Sequence, residues 1–394
     1  MTEPTDQVEV QGTVAAGFEP VADAFRANFS DPRFQPRDLG AAVSLYAEGE
    51  EVVNLWAGTA NAKTGAPWTD DTLALVFSTT KGATAIAVAM LAEAGKLSYD
   101  EPVATYWPEF AAAGKSSITL RQLMSHQAGL IFAEPALSLG EILAVTPVVE
   151  ALAAQAPLWE PGTAHGYHAL TYGWLAGEVV RRVDGRSLGR FFADEVAGPL
   201  GLDFWIGLPA SEEPRVARLK GAPRPEGDDL TLMMKIAGPG TNGGRALSMD
   251  GALAISGGTM PFNTREVHAS EMPAANGITN ARSIARMYAA TIGEIDGVRL
   301  VNDATVKTMA AEQVNGDDLT LVLPTRFGLG FMLNAEYLPL YSDNSFGHYG
   351  AGGSLGFADP GAGIGFGYVM NQMGGGIAGD PRAVSLIEAA RSCL

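Results

Sequence analysis

Short β-like runs stand at both ends of this 394-residue chain, and the text between them reads mainly as helix. Near the start, Ala41–Tyr46 and Val52–Trp56 are apolar stretches separated by Glu48-Gly49-Glu50, the pattern of a hairpin with a Gly-containing turn. Near the end, Phe327–Leu333, Gly353–Phe357 and Ile364–Asn371 read as strands. From Ser78 to about residue 295 the pattern is helical. Strands at both ends can share a sheet only if the ends meet and the middle is an insertion. The chain therefore predicts an α+β fold, with a discontinuous α/β lobe from residues 1–75 and 296–394 and a mainly helical lobe at 76–295. The cleft between two such lobes is a natural place for a site.

Within this plan, Val14 to Phe29 carries Phe18, Val21, Phe25 and Phe29 at helical spacing and is closed by Asp31-Pro32. Thr79–Ala94 is Ala-rich, apolar nearly all round and stopped before Gly95, which predicts a buried helix. Thr119 followed by Gln122 has the form of a capping box. Thr171–Val183 is a further helix ended by Asp184-Gly185, and a last one covers about Pro381–Arg391. Ala210–Thr279, with scattered Pro and Gly, reads as long excursions over a surface of the kind that borders a cleft.

Composition narrows the function. The chain has 26 Lys+Arg against 44 Asp+Glu, a formal charge of −18, which argues against a nucleic-acid partner because a phosphate-reading surface needs clustered cations. No apolar run approaches the ~18 residues of a membrane span. The first residues show no basic and apolar leader, so the expectation is a cytoplasmic protein. The single cysteine, Cys393, excludes an internal disulfide, a cysteine-based zinc site and an iron–sulfur cluster. His165 and His168 lie three apart without a carboxylate cluster, so no metal and no cofactor is expected. Assembly into a homo-oligomer is left open.

The sharpest chemical signal is Ser78-Thr79-Thr80-Lys81. A serine hydroxyl becomes a useful nucleophile when a neighbouring base takes its proton. Positions i and i+3 share a helix face, so Lys81 can bring its amine to Ser78. The strand-like Leu73–Phe77 places Ser78 at a helix N-terminus, where the dipole favours developing negative charge. Burial against an Ala-rich core would lower the lysine pKa and make it a better proton acceptor. The tetrapeptide alone fits equally an N-cap serine followed by a surface lysine.

Its surroundings decide. Leu91-Ala92-Glu93-Ala94-Gly95-Lys96-Leu97 and Asp100-Glu101-Pro102-Val103 follow it, then Ile118-Thr119-Leu120-Arg121-Gln122-Leu123-Met124-Ser125-His126-Gln127-Ala128-Gly129-Leu130. Pro161-Gly162-Thr163 stands ahead of Tyr167, and Gly198-Pro199-Leu200-Gly201-Leu202 comes later. In this order the motifs resemble the serine β-lactamase/penicillin-binding-protein superfamily, most of all its class C β-lactamase-like esterases, the family VIII carboxylesterases. The resemblance runs from about residue 15 to the C-terminus. It implies a β-lactamase/transpeptidase-like fold, an antiparallel sheet flanked by helices with an inserted helical lobe, and a small-molecule ester substrate.

Carried over by position, the resemblance makes Ser78 the acylated nucleophile, Lys81 its proton-relay partner and Tyr167 the second-motif tyrosine. An adjacent ammonium would stabilise phenolate and let Tyr167 act as general base. The third motif matches His348-Tyr349-Gly350, with the oxyanion hole formed by the backbone N–H groups of Ser78 and Ala351. The 13 glycines between Gly347 and Gly379 would let backbone approach substrate closely. His348, Tyr349, Gly350, Trp159 and Phe262 complete the expected substrate-binding set, although Trp159, Trp205 and Phe262 fit plain core packing equally well.

Two departures from the family pattern bear on substrate. His348 stands where β-lactamases usually carry a lysine for a substrate carboxylate, and Tyr167-His168-Ala169 ends in alanine where an amide is usual. Both suit neutral esters. The alternatives are a β-lactamase or D-amino-acid peptidase on the same fold, and a ligand-binding module that has lost catalysis. Gly352-Gly353-Ser354-Leu355-Gly356 fits an α/β-hydrolase elbow, but the last histidine, His348, precedes it, so Ser354 reads as a strand residue. Gly238-Pro239-Gly240-Thr241-Asn242-Gly243 follows no convincing strand and reads as a loop. His126 reads as structural.

Overall fold

The computed structural model describes residues 8–255, 258–376 and 379–394. Its main sheet is antiparallel in the order Val10–Val14, Glu50–Asn61, Gly40–Ala47, Ile364–Met370, Leu355–Asp359, Phe346–Tyr349, Met332–Leu333, Pro324–Phe327 and Val314–Asp317. A two-residue strand, Ala66–Pro67, adds to Glu50–Asn61. The two ends of the chain meet where Gly40–Ala47 pairs with Ile364–Met370, in a register running from Ala47↔Ile364 to Ala41↔Met370. The first hairpin turns on Glu48 and Gly49, both at positive φ (49° and 85°), as a tight two-residue turn between right-twisted strands requires.

Gly40–Ala47 is buried along its whole length because both faces of the sheet are covered. Val43 and Leu45 face a core shared with Phe25 of the Glu19–Ser30 helix and Leu386 of the Pro381–Arg391 helix. Ala42 and Tyr46 face the opposite core, against the Ala281–Ile292 helix. Each such large apolar side chain contributes about 1.5–3 kcal/mol by leaving water. The Ala281–Ile292 helix lies unusually close to the sheet. A Cβ on Gly367 would sit 2.2 Å from Ala281 O, and one on Gly365 would sit 2.5 Å from Ala285 O. Part of the glycine-rich ending therefore admits a helix, where the sequence had pointed to substrate.

Thr80–Glu93 runs through the middle of the molecule with 11 of its 14 residues buried, as its lack of a polar face requires. Thr171–Asp184 packs on it and ends at Gly185 in the left-handed region (φ 91°). The Thr119–Gln122 capping box is formed as expected. A three-stranded sheet of Ala74–Leu75, Ile278–Thr279 and Phe204–Trp205 leads the chain into Ser78.

The first helix starts at Glu19, because Val14 belongs to an edge strand. Phe327–Leu333 is two strands interrupted at Gly328 and Gly330. Ala210–Thr279 holds helices at Gly227–Ala237 and Asn242–Ser248. Gly227–Ala237 buries only Ile236 and exposes Leu232 and Met234, so it lies on the surface as an excursion of the kind expected there. Among the described residues, no helix is long and apolar enough to cross a membrane.

Candidate active site

Ser78 sits on the turn between the short strand Ala74–Leu75 and the Thr80–Glu93 helix. Phe77 before it adopts φ 45°, a left-handed conformation that costs a non-glycine residue about 1–3 kcal/mol. Such strain persists where the surroundings over-determine it, as they do here. Thr80 Oγ1 donates to Phe77 O at 2.5 Å and accepts from Gly277 N at 2.9 Å, fixing the turn to the neighbouring strand segment.

Lys81, one turn on, is fully buried. Its Nζ donates to Ser78 Oγ at 3.0 Å, to Ala169 O at 2.6 Å and to Ala274 O at 3.0 Å. Among the described residues no carboxylate offsets its burial, so desolvation pushes the amine well below the usual lysine range. Nζ also lies 4.7 Å from the centroid of the Tyr167 ring. Tyr167 is equally buried, and its Oη has no hydrogen-bond partner among the described residues. Burial raises the phenol above its ordinary range, against a smaller lowering by Ser78. The sequence pointed to an ammonium stabilising a phenolate. The geometry favours the opposite pair of states, a neutral amine and a neutral phenol, because burial penalises both charged forms.

The segment around Tyr167 has no regular structure and is held by hydrogen bonds from elsewhere. Asp318, buried, accepts from Tyr167 N at 3.0 and 3.1 Å and from the Thr320 and Leu321 amides at 2.8 and 2.9 Å. Gly166 N donates to His126 O at 3.0 Å, and His168 N donates to His126 Nδ1 at 3.2 Å. His168 Nδ1 donates to Gly166 O at 2.8 Å, while its Nε2 accepts from Leu130 N at 3.1 Å. That pattern makes His168 a neutral tautomer, and burial lowers its pKa to about 4. The His126 ring packs against Tyr167 at 5.1 Å, the structural part its sequence position implied. Asp318 was not legible: it follows Asp317 in a polar stretch that reads as surface.

His348 lies on the strand Phe346–Tyr349, its ring stacked 5.9 Å from that of Tyr167. Its Nδ1 donates to Tyr349 O at 2.6 Å, which leaves Nε2 as a bare, buried acceptor with no partner among the described residues. Burial pushes its pKa well down, so it brings no positive charge. Tyr349 points into the core and donates to Pro339 O. Gly350 packs directly on the turn that carries Ser78, where a Cβ would sit 2.1 Å from Val76 O.

Ser78 and Ala351 line one large cavity of about 2070 Å³, together with Leu253, Met260, Phe262 and Met373. Their two amides donate no hydrogen bond of good geometry to any described residue. Phe262 meets Phe77 edge-to-face at 4.8 Å. Trp159 does not line this cavity. Its Nε1 donates to Ala164 O at 3.2 Å and its ring props His168 edge-on at 6.3 Å, behind the Tyr167 segment. Among the described residues no cluster of His, Cys, Asp and Glu could hold a metal ion.

A sheet closed by both chain ends, with a serine and a buried lysine at the head of a central helix, defines the β-lactamase/transpeptidase class of fold. The chain belongs to the β-lactamase family, which matches residues 25–390. It is 37% identical over 375 residues to the esterase/β-lactamase LipL of Mycobacterium tuberculosis, covering 92% of this chain and 83% of that protein. A solved family VIII carboxylesterase superposes with a TM-score of 0.88 at 42% identity, covering 98% of this chain and 100% of that one. A penicillin-binding protein homologue from Caulobacter crescentus does so at 0.86 and 40% identity, covering 98% and 100%.

Proposed function

We propose that this member of the β-lactamase family is a serine carboxylesterase that hydrolyses short- to medium-chain carboxylic esters through an acyl-enzyme on Ser78. The observation that carries the reading is the 3.0 Å contact between Ser78 Oγ and the buried amine of Lys81, at the wall of a large cavity. His348, standing where β-lactamases usually carry a lysine for a substrate carboxylate, supports an uncharged substrate. The esterase and carboxylesterase names carried by its relatives support the reaction class.

In this reading Ser78 Oγ attacks the ester carbonyl carbon while the free Lys81 amine takes its proton. The carbonyl electron pair moves onto oxygen, where the Ser78 and Ala351 amides hold it. The intermediate collapses, the bond to the alcohol oxygen breaks, and Tyr167 passes a proton to that oxygen as Lys81 replaces it. Water then attacks the acyl-enzyme and gives its proton to the same pair. The carboxylic acid leaves and Ser78 recovers its proton.

The test is a series of nitrophenyl esters from acetyl through butyryl and octanoyl to palmitoyl, run beside nitrocefin. Butyryl and octanoyl esters are expected to turn over fastest. Nitrocefin outpacing every ester would favour the second reading, a β-lactamase, which the name of LipL supports.

A pH profile tests the protonation states. Lys81 must be unprotonated to act, so kcat/KM is expected to fall as pH drops through its lowered pKa. The raised Tyr167 phenol stays protonated on the alkaline side, so kcat/KM is expected to stay level up to about pH 10, where a free phenol titrates. An alkaline fall at pH 9 to 10 that disappears in Tyr167→Phe would contradict this assignment.

A further inference from the structure

The segment Gly350–Gly353, which carries the Ala351 amide, is anchored from two sides by side chains that take no part in the chemistry above. On one side is Ser354, fully buried. Its Oγ donates to Val76 O at 2.8 Å and shares a 3.0 Å hydrogen bond with Thr79 Oγ1. Val76 and Thr79 bracket Phe77 and Ser78. The Ser354 carbonyl accepts from Gly350 N at 2.7 Å, and Gly353 N donates to Gly350 O at 3.1 Å. One serine therefore closes the oxyanion turn with its backbone and ties it to the nucleophile turn with its side chain. A Cβ on Gly350 would fall 2.1 Å from Val76 O, so the two turns are in contact with no room between them.

On the other side is Arg382, whose side chain is 2% exposed. Its Nη2 donates to Gly352 O at 2.9 Å and to Asp380 Oδ2 at 2.8 Å. Nη1 donates to Asp38 Oδ1 and to Gln372 O, both at 2.9 Å, and Nε donates to Asp380 Oδ1 at 2.9 Å. Asp38 in turn accepts from Tyr368 Oη at 2.8 Å. The planar guanidinium fork is used on every edge, which gives it one orientation. Replacing a buried ion network by apolar side chains is often neutral or favourable for stability, so stability alone does not account for this one. Its specific product is a fixed Gly352 carbonyl, one residue beyond Ala351.

We propose that Ser354 and Arg382 are positioning residues that set the spacing between the two oxyanion-hole amides, those of Ser78 and Ala351. The proposal rests on the acyl-enzyme reading above. Two amides help only if both point at the oxygen as it becomes negative, so a loosened Ala351 segment penalises the transition state and leaves ground-state binding alone.

The test uses the full chain with Ser354→Ala and, separately, Arg382→Lys. Measured are kcat and KM on p-nitrophenyl butyrate, Tm, and the rate and final extent of Ser78 labelling by a fluorophosphonate, whose attack also builds negative charge on oxygen. Removing one oxyanion donor outright costs about 10²–10³ in kcat. Displacing one is expected to lower kcat and the labelling rate together by about 10- to 100-fold, with KM within about 2-fold and labelling still complete. If Arg382→Lys does not fold, Ser354→Ala, which removes a single oxygen, decides. Unchanged kcat in a folded Ser354→Ala, or a loss seen only in KM, overturns the positioning role while Ser78 still labels. No labelling of Ser78 in the unsubstituted protein overturns the acyl-enzyme reading and this proposal with it.

Discussion

Ser78→Ala is expected to lower ester turnover by about four orders of magnitude or more and to abolish the burst of nitrophenol that acyl-enzyme formation produces. In the proposed mechanism the substitution deletes the atom that forms the covalent bond, and the surrounding groups cannot substitute for it. Lys81 without Ser78 holds a base beside a space, and general-base activation of water there lacks the alignment that the serine oxygen has by construction. The fold is expected to survive. Ser78 lies on a turn at the cavity wall, and among the described residues its hydroxyl is hydrogen-bonded to Lys81 alone. Initial rates and pre-steady-state traces with p-nitrophenyl butyrate check this, with Tm as the control for folding. Turnover that persists undiminished would remove Ser78 as the nucleophile.

Tyr167→Phe is expected to lower kcat by about 10³-fold and to leave the protein as stable as before, or slightly more so. The two halves have one cause. Among the described residues the buried Tyr167 hydroxyl makes no hydrogen bond of good geometry, a state that costs a folded protein about 1–3 kcal/mol. Phenylalanine keeps the ring, its stacking on Phe327 at 5.9 Å and its packing on His126, and removes the unpaired oxygen. A gain of about 1 kcal/mol in a chain of this length corresponds to a rise of about 1–2 °C in Tm. In the proposed mechanism catalysis loses the group that hands a proton to the departing alcohol. A purely structural tyrosine would show the reverse, lost stability with activity retained. A mild drop in kcat would mean that Lys81 alone moves the protons.

The reach of the sequence is set by the distance over which its patterns act. The i to i+3 spacing of Ser78 and Lys81, the Glu48-Gly49 turn and the Thr119–Gln122 cap are local, and the structure forms each of them. The meeting of the two chain ends in one sheet was legible from where the strands fall. The groups that hold the site were not. Asp318 reaches Tyr167 across 151 positions and Arg382 reaches Gly352 across 30, and neither spacing has a period to reveal it. Ser354 was visible only as part of a false elbow motif. In the sequence, proximity to a lysine reads as proximity to a cation, whereas burial shifts both Lys81 and Tyr167 toward their uncharged forms, and burial is a property of the folded chain.

The side chains around the reacting atoms share one property. Desolvation moves Lys81, Tyr167, His126, His168 and His348 toward their uncharged forms. In a chain with a formal charge of −18, the charges of the cavity stand on other residues, Arg218, Arg245 and Asp250 among those that line it. Mobile ions screen charges that face water over about 10 Å or less at ordinary ionic strength, so salt acts on that outer set and reaches these five buried side chains much less.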